Sequence, residues 1–123
     1  MPKVLAIQHV ALTVPTERIE GARAFYGGLL GLAERERPAA EPGRPGIWYQ
    51  VGDLELHIQC RDGAPPDNSD RHPALIVDDV AAMRAHLLAN GIEIIEAQPL
   101  TGRERFFCRD PFGNRIEFMS EPA

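Results

Sequence analysis

The stretch His9-Val10-Ala11-Leu12-Thr13-Val14 returns later in the chain as His72-Pro73-Ala74-Leu75-Ile76-Val77, and both copies read H-x-A-L-x-V. A helix-like segment follows each copy, and each half then ends in a hairpin. An internal repeat of this kind indicates a duplicated module. We expect a single domain in which module one spans residues 1–60, a polar linker spans 61–71 and module two spans 72–123.

Each half predicts one strand, one helix and then three strands, which is an α+β architecture of two tandem βαβββ modules. In the first half we expect the helix to run from Ile19 to Leu30, with Thr16 as its N-cap. A loop rich in proline and glycine, from Pro38 to Gly46, then precedes the hairpin strands.

Composition excludes several classes of protein. The chain has 123 residues and a formal net charge of −5, which argues against nucleic-acid binding. Arg35, Arg37 and Arg44 alternate with glutamate or proline, and we interpret them as a solvated face. No apolar run approaches the roughly 18 residues of a membrane span, and no secretory signal is visible, so we expect a cytoplasmic protein. Cys60 and Cys108 are expected to be reduced.

The candidate chemistry lies on one face of the predicted strands. Side chains alternate between the two faces of a strand, so residues flanked by core aliphatic side chains point the other way. The residues on this second face are His9, His72, Glu117 and, in the first hairpin, Glu55 and His57. Three imidazoles and a carboxylate suit a borderline divalent metal such as zinc, nickel, iron or manganese. Three or four protein ligands would leave room for a substrate.

Five segments carry a resemblance to a known family: IQHVALTV, RAFYGGLLGL, WYQVGDLELHIQ, HPALIVDDVAAMRAHLLANGIEI and RDPFGNRIEFM. Together they resemble the vicinal oxygen chelate superfamily, which contains glyoxalases, bleomycin-resistance proteins and extradiol dioxygenases. The resemblance implies a cupped, partly open barrel-like sheet around a metal, with helices on the outer face. By position it implies His9, His72 and Glu117 as ligands. The hairpin ligand is Glu55 or His57, and we prefer His57 on chemistry.

The resemblance implies a metal-dependent lyase or isomerase that acts on a small oxygen-chelating substrate. Glu117 or Glu55 would move the proton. The candidate pocket residues are Trp48, Gln50, Arg105 and Met119. The open sheet edges predict a homodimer.

Two alternatives stay open. One is a non-catalytic protein that binds a small molecule or an antibiotic, as bleomycin-resistance proteins do. The other is a thiol transferase that inactivates an antibiotic, which the short segment after Glu117 disfavours.

Overall fold

The computed structural model describes residues 1–37 and 43–122, so residues 38–42 of the predicted loop lie outside the described residues. The chain divides into two compact units, Met1–Pro65 and Pro66–Ala123. The boundary falls inside the polar segment 61–71. No helix in the described ranges is long and apolar enough to cross a membrane.

Both units contain strands and a helix in the order βαβββ. The elements of the first unit are β1 (His9–Pro15), a 3-10 turn (Thr16–Arg18), α1 (Ile19–Ala22) with a π-helical continuation (Arg23–Leu29), β2 (Ala33–Arg35), β3 (Gly46–Val51) and β4 (Leu54–Arg61). The elements of the second unit are β5 (Ala74–Val77), α2 (Val80–Ala89), β6 (Ile95–Glu96), β7 (Arg105–Arg109) and β8 (Arg115–Ser120).

Within the described residues the strands form two four-stranded sheets with the same order. The first sheet runs β1-β4-β3-β2 and the second runs β5-β8-β7-β6. In each sheet the opening strand pairs in parallel with the closing strand of its module, and the other pairs are antiparallel. Neither sheet closes into a barrel. The predicted α+β fold of two tandem βαβββ modules is therefore confirmed.

The strand alternation separates an aliphatic core from a polar face. In β4, Leu56 and Ile58 are buried, and in β8, Ile116 and Phe118 are buried. These side chains form the apolar face of their sheets, where the hydrophobic effect favours burial. The intervening residues of the same strands occupy the opposite face, and that face holds the candidate ligands.

The first helix differs from the simple α-helix that was predicted. It begins with a 3-10 turn and ends as a π-helix, with Leu30 N–H donating to Phe25 O. Just beyond its end, Leu32 N–H donates to Tyr26 O. The predicted Thr16 cap is wrong, because Pro15 occupies the cap position and no side chain makes a capping hydrogen bond there. In α2 the cap is conventional, since Asp79 accepts from the Ala82 N–H at 2.9 Å.

The turn between β7 and β8 holds the start of the second unit against its sheet. Asp110 Oδ1 accepts from the N–H groups of Phe112 and Asn114, which fixes the turn. The Asp67 N–H donates to Phe112 O at 3.0 Å. Gly113 has φ +93°, and a Cβ built there would lie 2.0 Å from Asp67 O. Only glycine therefore lets the segment before β5 approach this turn.

Candidate metal centre

His57 lies at the centre of a stack of three rings in the first unit. The His9 and His57 rings stack with centroids 4.1 Å apart, and Trp48 stacks on His57 with centroids 4.2 Å apart. The three residues come from the adjacent strands β1, β4 and β3, with His57 in the central one. The Nδ1 of His9 is 2.6 Å from Oε1 of Gln8. With the ring proton on Nδ1, the lone pair on Nε2 of His9 is available to a metal.

Glu55 is held from two sides. One carboxylate oxygen accepts from Nε2 of His57 at 2.9 Å, and the other accepts from Nη1 of Arg35 at 2.5 Å. The His57 hydrogen bond and, more weakly, the Arg35 charge lower the pKa of Glu55. The carboxylate is therefore ionised at neutral pH, and it orients His57 while Arg35 orients it.

These side chains face a cavity of about 420 Å³ in the first unit. A volume of this size falls in the range of small-molecule sites. His9, His57, Glu55 and Trp48 all line it, so the structure brings four of the predicted site residues together around one space.

His72 and Glu117 form the corresponding pair in the second unit. The Nε2 of His72 is 3.0 Å from Oε1 of Glu117, and the Nδ1 is 2.7 Å from the backbone oxygen of Asp70. Glu117 is buried, with 6 % of its surface exposed, whereas 30 % of the His72 side chain is exposed. The edge of the His72 ring also meets the ring of Phe107, with centroids 5.0 Å apart.

The hydrogen bonds of His72 fit a metal cation. A carbonyl oxygen only accepts, so in the neutral ring Nδ1 carries the proton and donates it to Asp70 O. The lone pair on Nε2 then faces the carboxylate of Glu117, and two lone pairs in contact repel unless a proton or a cation lies between them. An Nδ1–H bond to a backbone carbonyl is also the arrangement that typically orients metal-binding imidazoles.

The strand registers place His57 and Glu117 at equivalent positions. Ala11 and Ala74 are the alanines of the two H-x-A-L-x-V copies, and they pair with His57 and Glu117 respectively. Glu55 lies two residues before His57 in β4, and the equivalent position two residues before Glu117 in β8 is Arg115, which is not a metal ligand type. The internal symmetry therefore favours His57 over Glu55 as the hairpin ligand.

The other predicted pocket residues have different surroundings. Gln50 is not among the residues that line the cavity, because its amide donates to Gly52 O and Leu54 O in the β3–β4 turn. Arg105 approaches Glu117 Oε2 at 3.5 Å and donates to Gln98 O. Met119 is half-buried opposite Arg105 in the β7–β8 pair.

Sequence reasoning missed the arginines beside the first pair. Arg35 and Arg44 are exposed, in line with the predicted solvated face, and Arg37 is half-buried. The prediction did not include that Arg35 binds Glu55 and Gln50, or that Arg37 and Arg44 line the cavity. Arg35 and Arg37 are two residues apart in an extended segment, and this spacing could have indicated that both side chains lie on one face.

In the part of the chain that the structure describes, no group of three or more His, Cys, Asp or Glu side chains could by itself hold a metal ion. The structure instead shows two smaller donor groups, each inside its own unit. His9 and His57 form the first group, and His72 and Glu117 form the second.

Comparison with known families identifies the chain. Residues 6–118 match the family model of the Glyoxalase/Bleomycin resistance protein/Dioxygenase superfamily. The chain belongs to this superfamily. The resemblance that the sequence motifs indicated is therefore confirmed. A search of curated proteins gives no match.

Solved structures of the superfamily fold show the same architecture. A glyoxalase family protein from Bacillus anthracis is 35% identical, with a TM-score of 0.89 and coverage of 99% of both chains. A glyoxalase family protein from Enterococcus faecalis is 28% identical, with a TM-score of 0.73 and coverage of 93% of this chain and 96% of the other. Lactoylglutathione lyase from Agrobacterium tumefaciens is 22% identical, with a TM-score of 0.73, 96% coverage of this chain and 95% of the other, and this likeness concerns the fold alone.

Proposed function

We propose that the chain is a metal-dependent enzyme of the lyase or isomerase type that acts on a small substrate with two chelating oxygens. Its metal would be one divalent ion of zinc, nickel, iron or manganese. The proposed ligands are His9, His57, His72 and Glu117. The observation that carries the proposal is the approach of His72 Nε2 to the buried carboxylate of Glu117 at 3.0 Å, with His72 Nδ1 bound to the Asp70 carbonyl.

The four ligands come as one pair from each module. Members of the superfamily commonly use a divalent metal. Two donors bind a transition metal weakly, and a protein site normally has three or four. The proposal therefore requires both pairs, whether they meet within one chain or between two chains.

The residues around the first pair have defined roles in this proposal. When bound, the metal would supply Lewis acidity, which stabilises negative charge developing on a substrate oxygen. Glu55, ionised and lining the cavity, is the group that we propose to accept and return the proton, with Glu117 as the alternative. Arg35 keeps the Glu55 carboxylate in place, and Trp48 forms an apolar wall of the cavity.

Elemental analysis of untagged protein is the test. We expect about one divalent transition metal per chain, and we expect His72→Ala to lose most of it. His86→Ala, on helix α2, is the matched control and should retain the metal. Hemithioacetals, acyl-CoA esters and catechols would then be screened as substrates. Full metal retention by both His9→Ala and His72→Ala would refute the metal centre.

A non-catalytic small-molecule binder is the second candidate function. The observation in its favour is the cavity, which combines the indole of Trp48 with the guanidinium groups of Arg37 and Arg44. A binder of the bleomycin-resistance type needs no metal, so metal-free protein that binds its ligand at full affinity would favour this candidate.

We propose further that the protein is a homodimer. Val4 and Leu5 are 95% and 91% exposed, and they precede β1, which lies at an edge of its sheet. Exposed apolar side chains beside an open sheet edge favour association. Light scattering should give a dimer mass, and Val4→Glu with Leu5→Glu should give a monomer mass, whereas Leu88→Glu on α2 should not. A monomer mass for the wild type would contradict the proposal.

Since Cys60 and Cys108 are free thiols, we also propose a reducing, cytoplasmic location.

A further inference from the structure

We propose that the first-unit cavity binds the anionic end of its substrate, a carboxylate, phosphate or phosphonate, through Arg37, with Arg44 contributing. This inference rests on the proposed function, because it names the substrate class of the same site. It follows from the position of Arg37, which forms no ion pair with any described residue.

Arg37 is half-buried and makes only neutral contacts in the described residues. Its Nη1 donates to Arg44 O at 2.6 Å and lies 3.4 Å from Gly46 O, while its Nε is buried without a hydrogen-bond partner. By contrast, Arg23 and Arg35 each pair with a glutamate. Shielding a cation from water without an anionic partner is unfavourable. The position of Arg37 is therefore best explained if the ligand supplies the anion.

The cavity carries an excess of positive charge in an acidic protein. Arg37 and Arg44 line it, and within the described ranges neither has a carboxylate partner. The carboxylate of Glu55 also lines it but is already engaged by Arg35 and His57. The formal net charge of the chain is −5, so the charge of this cavity surface is opposite in sign to that of the whole chain. Such a local field attracts anionic ligands.

The charge of Arg37 reaches into the cavity. Burial raises the pKa of the Cys60 thiol, and the Arg37 charge opposes that rise. Gly46 adjoins the guanidinium, because a Cβ built there would lie in ordinary contact with Arg37 Cζ at 3.4 Å, whereas it would clash with Ile58 O at 2.7 Å. The arginine therefore lies along the same wall as Cys60 and Gly46, in the cavity that His9 and His57 also line.

A substrate bound in this way would have two ends with different chemistry. Its anionic end would lie on Arg37, which can bind two oxygens of one oxyanion with its planar fork. Its reacting oxygens would lie toward His9 and His57. A cavity of about 420 Å³ suits a small organic acid or phosphorylated metabolite.

Trp48 provides a direct assay, because it is the only tryptophan of the chain and it lines the cavity. Metal-free protein would be titrated with inorganic phosphate, malonate and methylphosphonate, with malonamide as the neutral analogue of malonate. At constant ionic strength, we expect a saturable change in Trp48 fluorescence with one or more anions and none with malonamide. The preferred anion distinguishes a carboxylate from a phosphate or phosphonate substrate.

The variants locate the binding. Arg37→Gln should raise the anion dissociation constant at least tenfold, and Arg37→Lys, which keeps the charge, should raise it less. Arg84→Gln is the matched control, because Arg84 pairs with Glu96 in the second unit, and it should bind as the wild type does. Near-ultraviolet circular dichroism would confirm folding.

Two results would overturn the inference: no saturable response of the wild type at tens of millimolar anion, or equal affinities in folded Arg37→Gln and wild type. If Arg37→Gln does not fold, the anion affinities of Arg37→Lys and Arg44→Gln are compared with that of the wild type instead. Unchanged anion affinity in both of these variants also overturns the inference. Metal content is measured in parallel. Anion binding without metal binding would refute the proposed function alone, and metal binding without anion binding would refute this inference alone.

Discussion

Glu117→Gln is the sharpest test of the second donor pair. The substitution keeps the shape of the side chain but removes its charge. Glu117 is 6% exposed, with one oxygen 3.0 Å from His72 Nε2 and the other 3.5 Å from Arg105. As a metal ligand, an amide is a much weaker donor than a carboxylate. A hydrogen bond or ion contact to a buried charge contributes about 1.5–3 kcal/mol. We therefore expect metal affinity to fall on the order of a hundredfold, which corresponds to about 2.7 kcal/mol.

Glu96→Gln is the matched control for this prediction. Glu96 is also a strand carboxylate of the second sheet with an arginine partner, but its side chain is 66% exposed. Exposed pairs contribute little, so this variant should change the free energy of unfolding by under about 0.5 kcal/mol and leave metal binding unchanged. Metal affinity would be measured by competition with a chromophoric chelator, and folding by thermal denaturation. If folded Glu117→Gln binds metal as tightly as Glu96→Gln does, the assignment of Glu117 as a ligand is wrong.

Three further predictions concern the rest of the molecule. Glu55→Gln should keep metal affinity within a few-fold but lower turnover on the order of a hundredfold, whereas His57→Ala should lose the metal. If Glu55→Gln loses the metal and His57→Ala keeps it, Glu55 is the ligand. Gly113→Ala should lower the free energy of unfolding by about 2–4 kcal/mol in chemical denaturation, because the new Cβ would clash with Asp67 O. Gly91 also has a positive φ, +78°, but lies in open space, so Gly91→Ala should lower it by only about 1 kcal/mol. Burial raises the pKa of Cys108 from 9.0 to about 12, so the unfolded chain loses this proton first and stability should fall as the pH rises from 9 toward 12. Cys108→Ala should weaken this pH dependence. If the slope of unfolding free energy against pH is unchanged in Cys108→Ala, Cys108 is not the group responsible.

The sequence predicted the parts of the fold that depend on local pattern. The two H-x-A-L-x-V copies predicted the duplicated topology, because strands of similar sequence in similar context pair in the same way. The alternation around Leu56 and Ile116 placed His57 and Glu117 on the polar face, since side chains alternate with a period of two. His57 and Glu55 lie on the same face, so the alternation leaves both as candidate ligands, and the register equivalence of His57 and Glu117 supports the preference for His57.

The features that were not predicted depend on the backbone geometry at a helix start or a turn, or on which strands become neighbours. Thr16 has the right side chain for a cap, but the helix opens with a 3-10 turn after Pro15. Gln50 has a polar side chain on the right strand, but it satisfies the backbone of its own turn. Arg35 meets Glu55 because β2 and β4 lie on either side of β3, and sequence spacing alone does not give that arrangement.

The close approach of Gly113 to Asp67 has a consequence for how much chain the second unit needs in order to fold by itself. The repeat in the sequence begins at His72, yet the backbone at Asp67 already packs on the β7–β8 turn and donates to Phe112 O. A fragment that starts at His72 would leave that turn uncovered, and it would also lack the Asp70 carbonyl that orients the imidazole. A second half expressed by itself should therefore start at Pro66, where the second compact unit begins, several residues ahead of the motif that reveals the repeat.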